Sequence, residues 1–202
     1  MMTVSLEDDI GISLAAITGI NTEDTLRLSV RVAGVQLQAL VDTGSTHTFI
    51  HEEVARRLGL LIEHRPGISV KVANGDRVTS PGLCKGTKIG IGKDTFTIDC
   101  FALPLDGFDI VLGVKWLKSL GPISFDFRAL WMAFWRDGLP VCLYGIGSDS
   151  QPTITATATD NLMEVLLVGR QLAQRRHRQW IKKQENRRLV SFNYEEYFLL
   201  HR

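Results

Sequence analysis

Only three cysteines occur in the 202 residues, Cys84, Cys100 and Cys142, and no two of them stand in a C-x-x-C spacing. An odd, sparse set of this kind is neither a disulfide framework nor a zinc site, so no metal is expected. The three read as small, half-buried thiols of a reducing compartment. No apolar run reaches the roughly 18 residues that a membrane-spanning helix needs, and no membrane partner is expected. The opening residues, MMTVSLEDDI, lack a basic stretch followed by a long apolar one, so no signal peptide is expected either. These absences together set an intracellular, cytoplasmic location as the expectation. The net charge is only +1, which points to neither nucleic acid nor a membrane surface as a partner of the chain as a whole. There is no internal repeat of fixed period.

What is present is an ordinary globular composition, 45% hydrophobic, enough for a packed core over at least part of the length. The length suggests one domain plus an appendage. From Ile12 to about Tyr144 short strands alternate with turns. Leu26, Leu28, Val30 and Val32 alternate with polar residues, Ala33-Gly34 reverses the chain, and Val35, Leu37, Ala39 and Val41 continue it: a hairpin with a period of two. A short helix is expected from Glu52 to Leu58, with acids at its positive end, Arg56 and Arg57 at its negative end and Gly59 as the stop. Val54 and Leu58 would share its buried face. Ile68, Val70 and Val72 form a further strand. Asn74-Gly75 then predicts a two-residue type I′ turn, which needs positive φ at both centres. Strands follow around Lys88–Ile91 and Thr95–Leu103, and a second short helix carries Trp116, Leu117 and Leu120. Ile123–Phe127, Leu130–Phe134 and Leu139–Leu143 read as closing strands, with Asp137-Gly138 as a hairpin turn. Trp116, Trp131 and Trp135 read as core or interface aromatics.

The chemistry is concentrated in Leu40-Val41-Asp42-Thr43-Gly44-Ser45-Thr46. An apolar strand delivers a carboxylate into a Thr-Gly turn. Gly44 permits a close backbone approach and leaves its amide near the carboxylate. Thr43 offers a hydroxyl for a partner loop, and Ser45 is small enough to donate to the carboxylate. One carboxylate is not enough for peptide hydrolysis without a metal or covalent intermediate, because one group must take a proton from water while another gives one to the carbonyl. Two carboxyls about 3 Å apart do this, since like charges that close share one proton. The chain has one such turn, so the second Asp comes from another chain or the site does not exist. An ordinary strand-end turn is the plain alternative. A second element weighs against that alternative: Asp109-Ile110-Val111-Leu112-Gly113, again apolar residues feeding a glycine, followed by a helix.

The pairing of Ala39–Ile50 with Phe108–Leu117, the intervening Val70-Lys71-Val72-Ala73-Asn74-Gly75 and the downstream Leu120-Gly121-Pro122-Ile123-Ser124-Phe125-Asp126 resembles the retropepsin-like aspartic proteases of Ty3/gypsy-type long-terminal-repeat retrotransposons, particularly plant ones. The resemblance covers roughly residues 15 to 145. It implies a mainly β, closed-barrel fold with two short helices, working as a homodimer on an extended peptide, with no organic cofactor. It implies Asp42 as the catalytic carboxylate, Thr43 as a cross-axis brace, and Gly44 and Ser45 as the rest of the active-site loop. Ala73, Asn74 and Gly75 would be the tip of a flap closing over the substrate. Leu112 and Gly113 would back the loop. His47 fits the family pattern but reads as an ordinary turn-side residue.

The expected organisation is an N-terminal extension (1–14), a protease domain (15–145), a Gly-, Ser- and Thr-rich linker (146–160) and a basic helical tail (161–202). Between Arg170 and Arg188 stand eight Lys or Arg and one acid, Glu185. Such a block, with Trp180 as a stacking surface, is a candidate nucleic-acid arm, or a solvated helix. Two functions therefore compete with an aspartic endopeptidase: a catalytically silent scaffold with the same fold, and a nucleic-acid-associated fragment.

Overall fold

The computed structural model describes residues 10–20, 22 and 24–147. The chain divides into two units, Met1–Thr153 and Ile154–Arg202, and all described residues belong to the first. The expected helix from Asn161, the basic block 170–188 and most of the linker lie outside the described residues.

In chain order the elements are β1 (Gly11–Ile12), α1 (Leu14–Thr18), β2 (Arg27–Val32), β3 (Val35–Val41), β4 (Thr48–His51), α2 (Glu52–Arg57), β5 (Glu63–His64), β6 (Ser69–Val72), β7 (Arg77–Thr79), β8 (Gly82–Ile91), β9 (Asp94–Leu103), β10 (Ile110–Leu112), α3 (Val114–Ser119), β11 (Ile123–Asp126), β12 (Trp131–Arg136) and β13 (Leu139–Tyr144). The fold is mainly β, with three short helices among the described residues. The first of them, capped by Ser13, was not anticipated from periodicity, because five residues are too few to show one.

The hairpin β2–β3 forms as its alternation predicts, with Val32 opposite Val35. Ala33 and Gly34 both take positive φ, 49° and 83°, the twist that a two-residue reversal requires. Strands β2, β3, β10, β4, β9 and β8 are neighbours in that order, and β8 pairs back onto β2. Six strands thereby close into a barrel, and β5 extends it beside β8.

The decisive insertion is β10. It lies between β3, to which it is parallel, and β4, to which it is antiparallel, with Val111 level with both Leu40 and Phe49. Two strands adjacent in sequence are thus held apart by one that arrives much later. Side chains alternate across these strands, and so the inserted sheet feeds two separate apolar clusters. Ala39, Ile50, Ile110 and Leu112 enter the larger one, inside the barrel. Leu40, Phe49 and Val111 enter a second, together with Val70 and Val72 from β6 and Ile12 and Ala16 from the N-terminal segment.

Strands β11, β12 and β13 do not close the barrel as expected. The β2–β8 pairing already closes that ring, and the three form a separate antiparallel sheet. Their inner residues Met132, Phe134, Val141 and Leu143 pack on the barrel cluster. The turn at Asp137 and Gly138 forms as predicted, with φ of 50° and 81°. Beyond it, Gly145 N–H donates to the Leu130 carbonyl at 2.7 Å and Ile146 N–H to the Arg27 carbonyl at 2.7 Å. The first residue of the expected linker is therefore bonded to the domain.

The turn at Asn74 differs from its prediction. Only Gly75 has positive φ, 99°, so the reversal is not type I′. Gly75 N–H donates to the Val72 carbonyl and Val72 N–H to the Asp76 carbonyl, which makes a three-residue loop of Ala73, Asn74 and Gly75 with the glycine at its left-handed position. Asn74 keeps ordinary φ because its side chain is already committed: Oδ1 accepts from Asp76 N–H at 3.0 Å and Nδ2 donates to Asp76 Oδ2 at 2.6 Å. An Asx bond of this kind holds a turn without left-handed backbone.

Candidate active site

Asp42 follows directly on β3. Its backbone N–H donates to the Leu112 carbonyl at 3.1 Å, carrying the β3–β10 ladder one residue past the strand. There the chain turns. Gly44 N–H donates to Asp42 Oδ1 at 2.9 Å, and Ser45 Oγ donates to Asp42 Oδ2 at 2.5 Å. Both oxygens of one carboxylate are thus held by hydrogen bonds from within four residues. Ser45 is fully buried, Asp42 half-buried, and Thr43 and Gly44 exposed. The loop therefore leaves Asp42 partly exposed and Thr43 open to solvent. The Thr43 hydroxyl has no bonding partner among the described residues.

Leu112 and Gly113 hold the loop from behind. A Cβ on Gly113 would lie 2.1 Å from the His47 carbonyl oxygen and 2.6 Å from that of Ser45, so no other residue allows this approach. The first amides of α3 then point at the loop: Val114 N–H donates to the Ser45 carbonyl at 2.8 Å and Lys115 N–H to the Thr46 carbonyl at 2.9 Å. A helix start normally leaves such amides unsatisfied, and here they tie the loop down. No side chain caps this helix.

The structure thus brings Asp42, Thr43, Gly44 and Ser45 together with Leu112 and Gly113. It keeps Ala73, Asn74 and Gly75 apart, at the exposed tip of the β6–β7 hairpin. The link between hairpin and loop is β1, which pairs with β6 and bonds Thr46. His47 is not the turn-side residue expected. It is buried, its Nδ1 lies 2.8 Å from Thr46 Oγ1, and its ring meets Phe101 edge-on at 5.4 Å. Trp116 is core, as expected, edge-on to Phe96 at 5.7 Å, while Trp131 and Trp135 are partly exposed. Sequence reasoning assigned nothing to Gly11 and Ser13, which prove to be neighbours of the loop, bonded to Thr46 and Ser45. No local pattern marks them, because their proximity to it depends on β1 crossing to β6. A shallow depression of about 470 Å³ runs along Thr43–His47 and across Val114, Lys115 and Lys118. It marks an open face beside the outward side of the loop.

Residues 28–119 match the family described as gag-polyprotein putative aspartyl protease. The matched stretch includes both Asp42-Thr43-Gly44 and Leu112-Gly113 and ends with α3. Similar solved structures include these two. One is the retroviral protease-like domain of Ddi1 from Leishmania major, at 15% identity, covering 62% of this chain and 97% of that one with a TM-score of 0.49. The other is a retropepsin-like aspartic protease from Rickettsia conorii, at 20% identity, covering 52% and 88% with a TM-score of 0.42. No curated protein matches the chain. The matched stretch is a little under half of the chain, and it spans most of the closed six-stranded barrel.

Proposed function

We propose that the chain is one subunit of a homodimeric aspartic endopeptidase, with Asp42 as its catalytic residue. The observation that carries this reading is the Asp42 carboxylate itself. It is gripped at both oxygens by Gly44 and Ser45, on a loop locked by Gly113, yet the residue stays partly exposed beside the exposed Thr43. The Gly44 bond alone is an ordinary Asx turn, as at Asp126; the reading rests on its combination with the buried Ser45 donor and the Gly113 lock. A second copy would bring its own Asp42 alongside, and the two exposed Thr43 hydroxyls would bond across the axis.

With one proton shared between the pair, the ionised carboxylate draws a proton from a water molecule. That water attacks the scissile carbonyl carbon, while the protonated carboxyl gives its proton to the carbonyl oxygen. The tetrahedral diol then collapses with proton transfer to the leaving amine. Gly44 and Ser45 keep the carboxylates oriented throughout. The β6–β7 hairpin, with Ala73, Asn74 and Gly75 at its tip, adds backbone bonds to an extended substrate.

The family description suggests polyprotein segments as substrates, and the resemblance to Ty3/gypsy retroelements belongs to the same proposal, as does an intracellular location. Nucleic-acid binding by the block 170–188 is a separate proposal, tested by steeply salt-dependent binding that vanishes without residues 160–202.

Cleavage of a peptide library by the purified chain, beside Asp42→Asn, tests the enzyme reading. Expected are activity that rises with protein concentration through dimerisation and a loss of roughly 10²–10⁴-fold in the variant, the contribution of a positioned acid–base group. Equal activity in both proteins excludes Asp42 as the catalyst. A well-folded dimer that cleaves nothing favours the silent scaffold.

A further inference from the structure

The N-terminal segment lies where a bound peptide would be expected to lie. Ile10 to Ser13 run extended between the β6 strand of the hairpin and the active-site loop, and they bond to both. On the hairpin side, β1 pairs in parallel with β6, Gly11 level with Lys71 and Ile12 with Val72, and Lys71 N–H donates to the Ile10 carbonyl at 2.9 Å. On the loop side, Gly11 N–H donates to Thr46 Oγ1 at 2.8 Å and Thr46 N–H to the Gly11 carbonyl at 2.9 Å. Ser13 N–H reaches Ser45 Oγ at 3.1 Å, the hydroxyl that holds Asp42. A strand sandwiched between a hairpin edge and a loop, with main-chain bonds to each, is the geometry of peptide capture by strand addition.

The side chains fit the same description. Ile12 is 2% exposed and sits in the cluster of Leu40, Phe49, Val70, Val72 and Val111. All five come from the strands flanking Asp42 or from the hairpin. Then the strand stops. Ser13 caps α1, its Oγ accepting from Ala16 N–H at 3.1 Å, and the chain turns into a helix beside Gly44 and the carboxylate. Helix α1 is fastened further on: Asp106 N–H donates to the Ile17 carbonyl at 3.1 Å, and a Cβ on Gly19 would meet the Asp106 carbonyl oxygen at 2.5 Å. The occupant thus lies along one side of the groove and never runs extended past the carboxylate, so it presents no strand to be cut.

We propose that the strand Ile10–Ser13 is an internal occupant of the substrate groove, filling its apolar pocket with Ile12, and that a peptide enters only when this strand leaves. The proposal rests on the peptidase reading for the word substrate, but the groove and its occupant are testable by binding alone. The ligand class it defines is an extended peptide with a branched aliphatic side chain where Ile12 now sits.

The probe is a fluorescently labelled synthetic peptide of residues 8–17, added to the full chain. In the full-chain variant Ile12→Asp the buried carboxylate expels the strand, and the probe is expected to bind at least about tenfold more tightly than to the wild type, whose groove is filled. A second protein, Gly11→Cys with Thr46→Cys, guards against a misfolded variant. A Cβ on Gly11 would lie 3.6 Å from Thr46 Cγ2 and 3.9 Å from Thr46 Oγ1, so a cysteine at each position brings the two sulfurs close enough to be joined by oxidation. Oxidised, it should exclude the probe, and reduction should admit it. Equal binding by oxidised and reduced forms overturns the proposal, as does equal binding by wild type and a folded Ile12→Asp. Release-dependent binding without any peptide cleavage would retain the occupant and reject the peptidase. Cleavage of added peptides by the locked form would do the reverse.

Discussion

The two apolar clusters are built from the same strands and have different fates. The barrel cluster is walled on all sides by the chain's own regular structure: six ring strands, α2, α3 and the inner face of the β11–β13 sheet. The second cluster draws on the Asp42 strands, on Leu103, Leu105 and Phe108 and on the β6–β7 hairpin, and the N-terminal segment adds Ile12 and Ala16. One is sealed by extensive pairing; the N-terminal side of the other is held by a two-residue ladder, a handful of bonds to the loop and the tie from α1 to Asp106. A core that only stabilises is best closed permanently. A cluster that can be opened at the cost of one short strand is the kind of place where binding sites are found, since local opening is cheapest where pairing is least.

That contrast makes Phe134→Ala the most damaging of the substitutions considered for stability. Phe134 is fully buried in the barrel cluster, and its truncation is expected to cost about 3–5 kcal/mol, read from urea unfolding, with peptide binding per folded molecule unchanged. A comparable loss of binding would break the distinction between the clusters. Gly113→Ala should follow, at about 1–3 kcal/mol. Its methyl would meet two loop carbonyls, and because Gly113 sits where loop and helix α3 join, activity should fall with stability. Phe49→Leu, in the second cluster, is expected to cost about 1–2 kcal/mol but to change KM for an aliphatic peptide more than Phe134→Ala does.

A smaller effect concerns pH. Burial pushes the Cys100 thiol well above its ordinary value of 9.0, and Cys84 and Cys142 are raised by burial too. The unfolded chain therefore gives up these protons first. The stability contributed by keeping the thiols neutral is complete below about pH 9 and declines as pH rises through the range above it. Thermal scans between pH 8 and 11 should show that decline, weaker in Cys100→Ala. The least effect belongs to Lys85→Ala. The Lys85–Glu63 contact is 2.7 Å, but both side chains are substantially exposed, and a change within about 1 kcal/mol is expected from denaturation curves.

Local pattern carried much of the fold. The period-two alternation of Leu26–Val41 announced the first hairpin, and the charges and spacing at Glu52–Leu58 announced α2. The Asp-Thr-Gly turn and the later Leu112-Gly113 were visible as separate pieces. The failures have a common cause. Asn74-Gly75 was a fair type I′ signal, but the Asx bond to Asp76 removed the need for positive φ at Asn74. His47 read as an ordinary turn-side residue because nothing nearby in sequence marks it as buried, while Phe101 packs on it from β9. The strands at Ile123–Leu143 were seen as strands, but which sheet they join depends on whether the barrel edge is already taken.

By itself the sequence determined what is local: alternation, caps, turn glycines, and one acid placed where an apolar strand runs into a turn. Each of these follows from a few neighbouring φ, ψ and side-chain choices. Only the tertiary structure decided that β10 would part β3 from β4, that Gly113 would press against Ser45 and His47, and that Ile12 would fill the cluster beside Asp42. Those contacts join residues far apart in the chain, and they depend on barrel closure, which no short window of residues encodes.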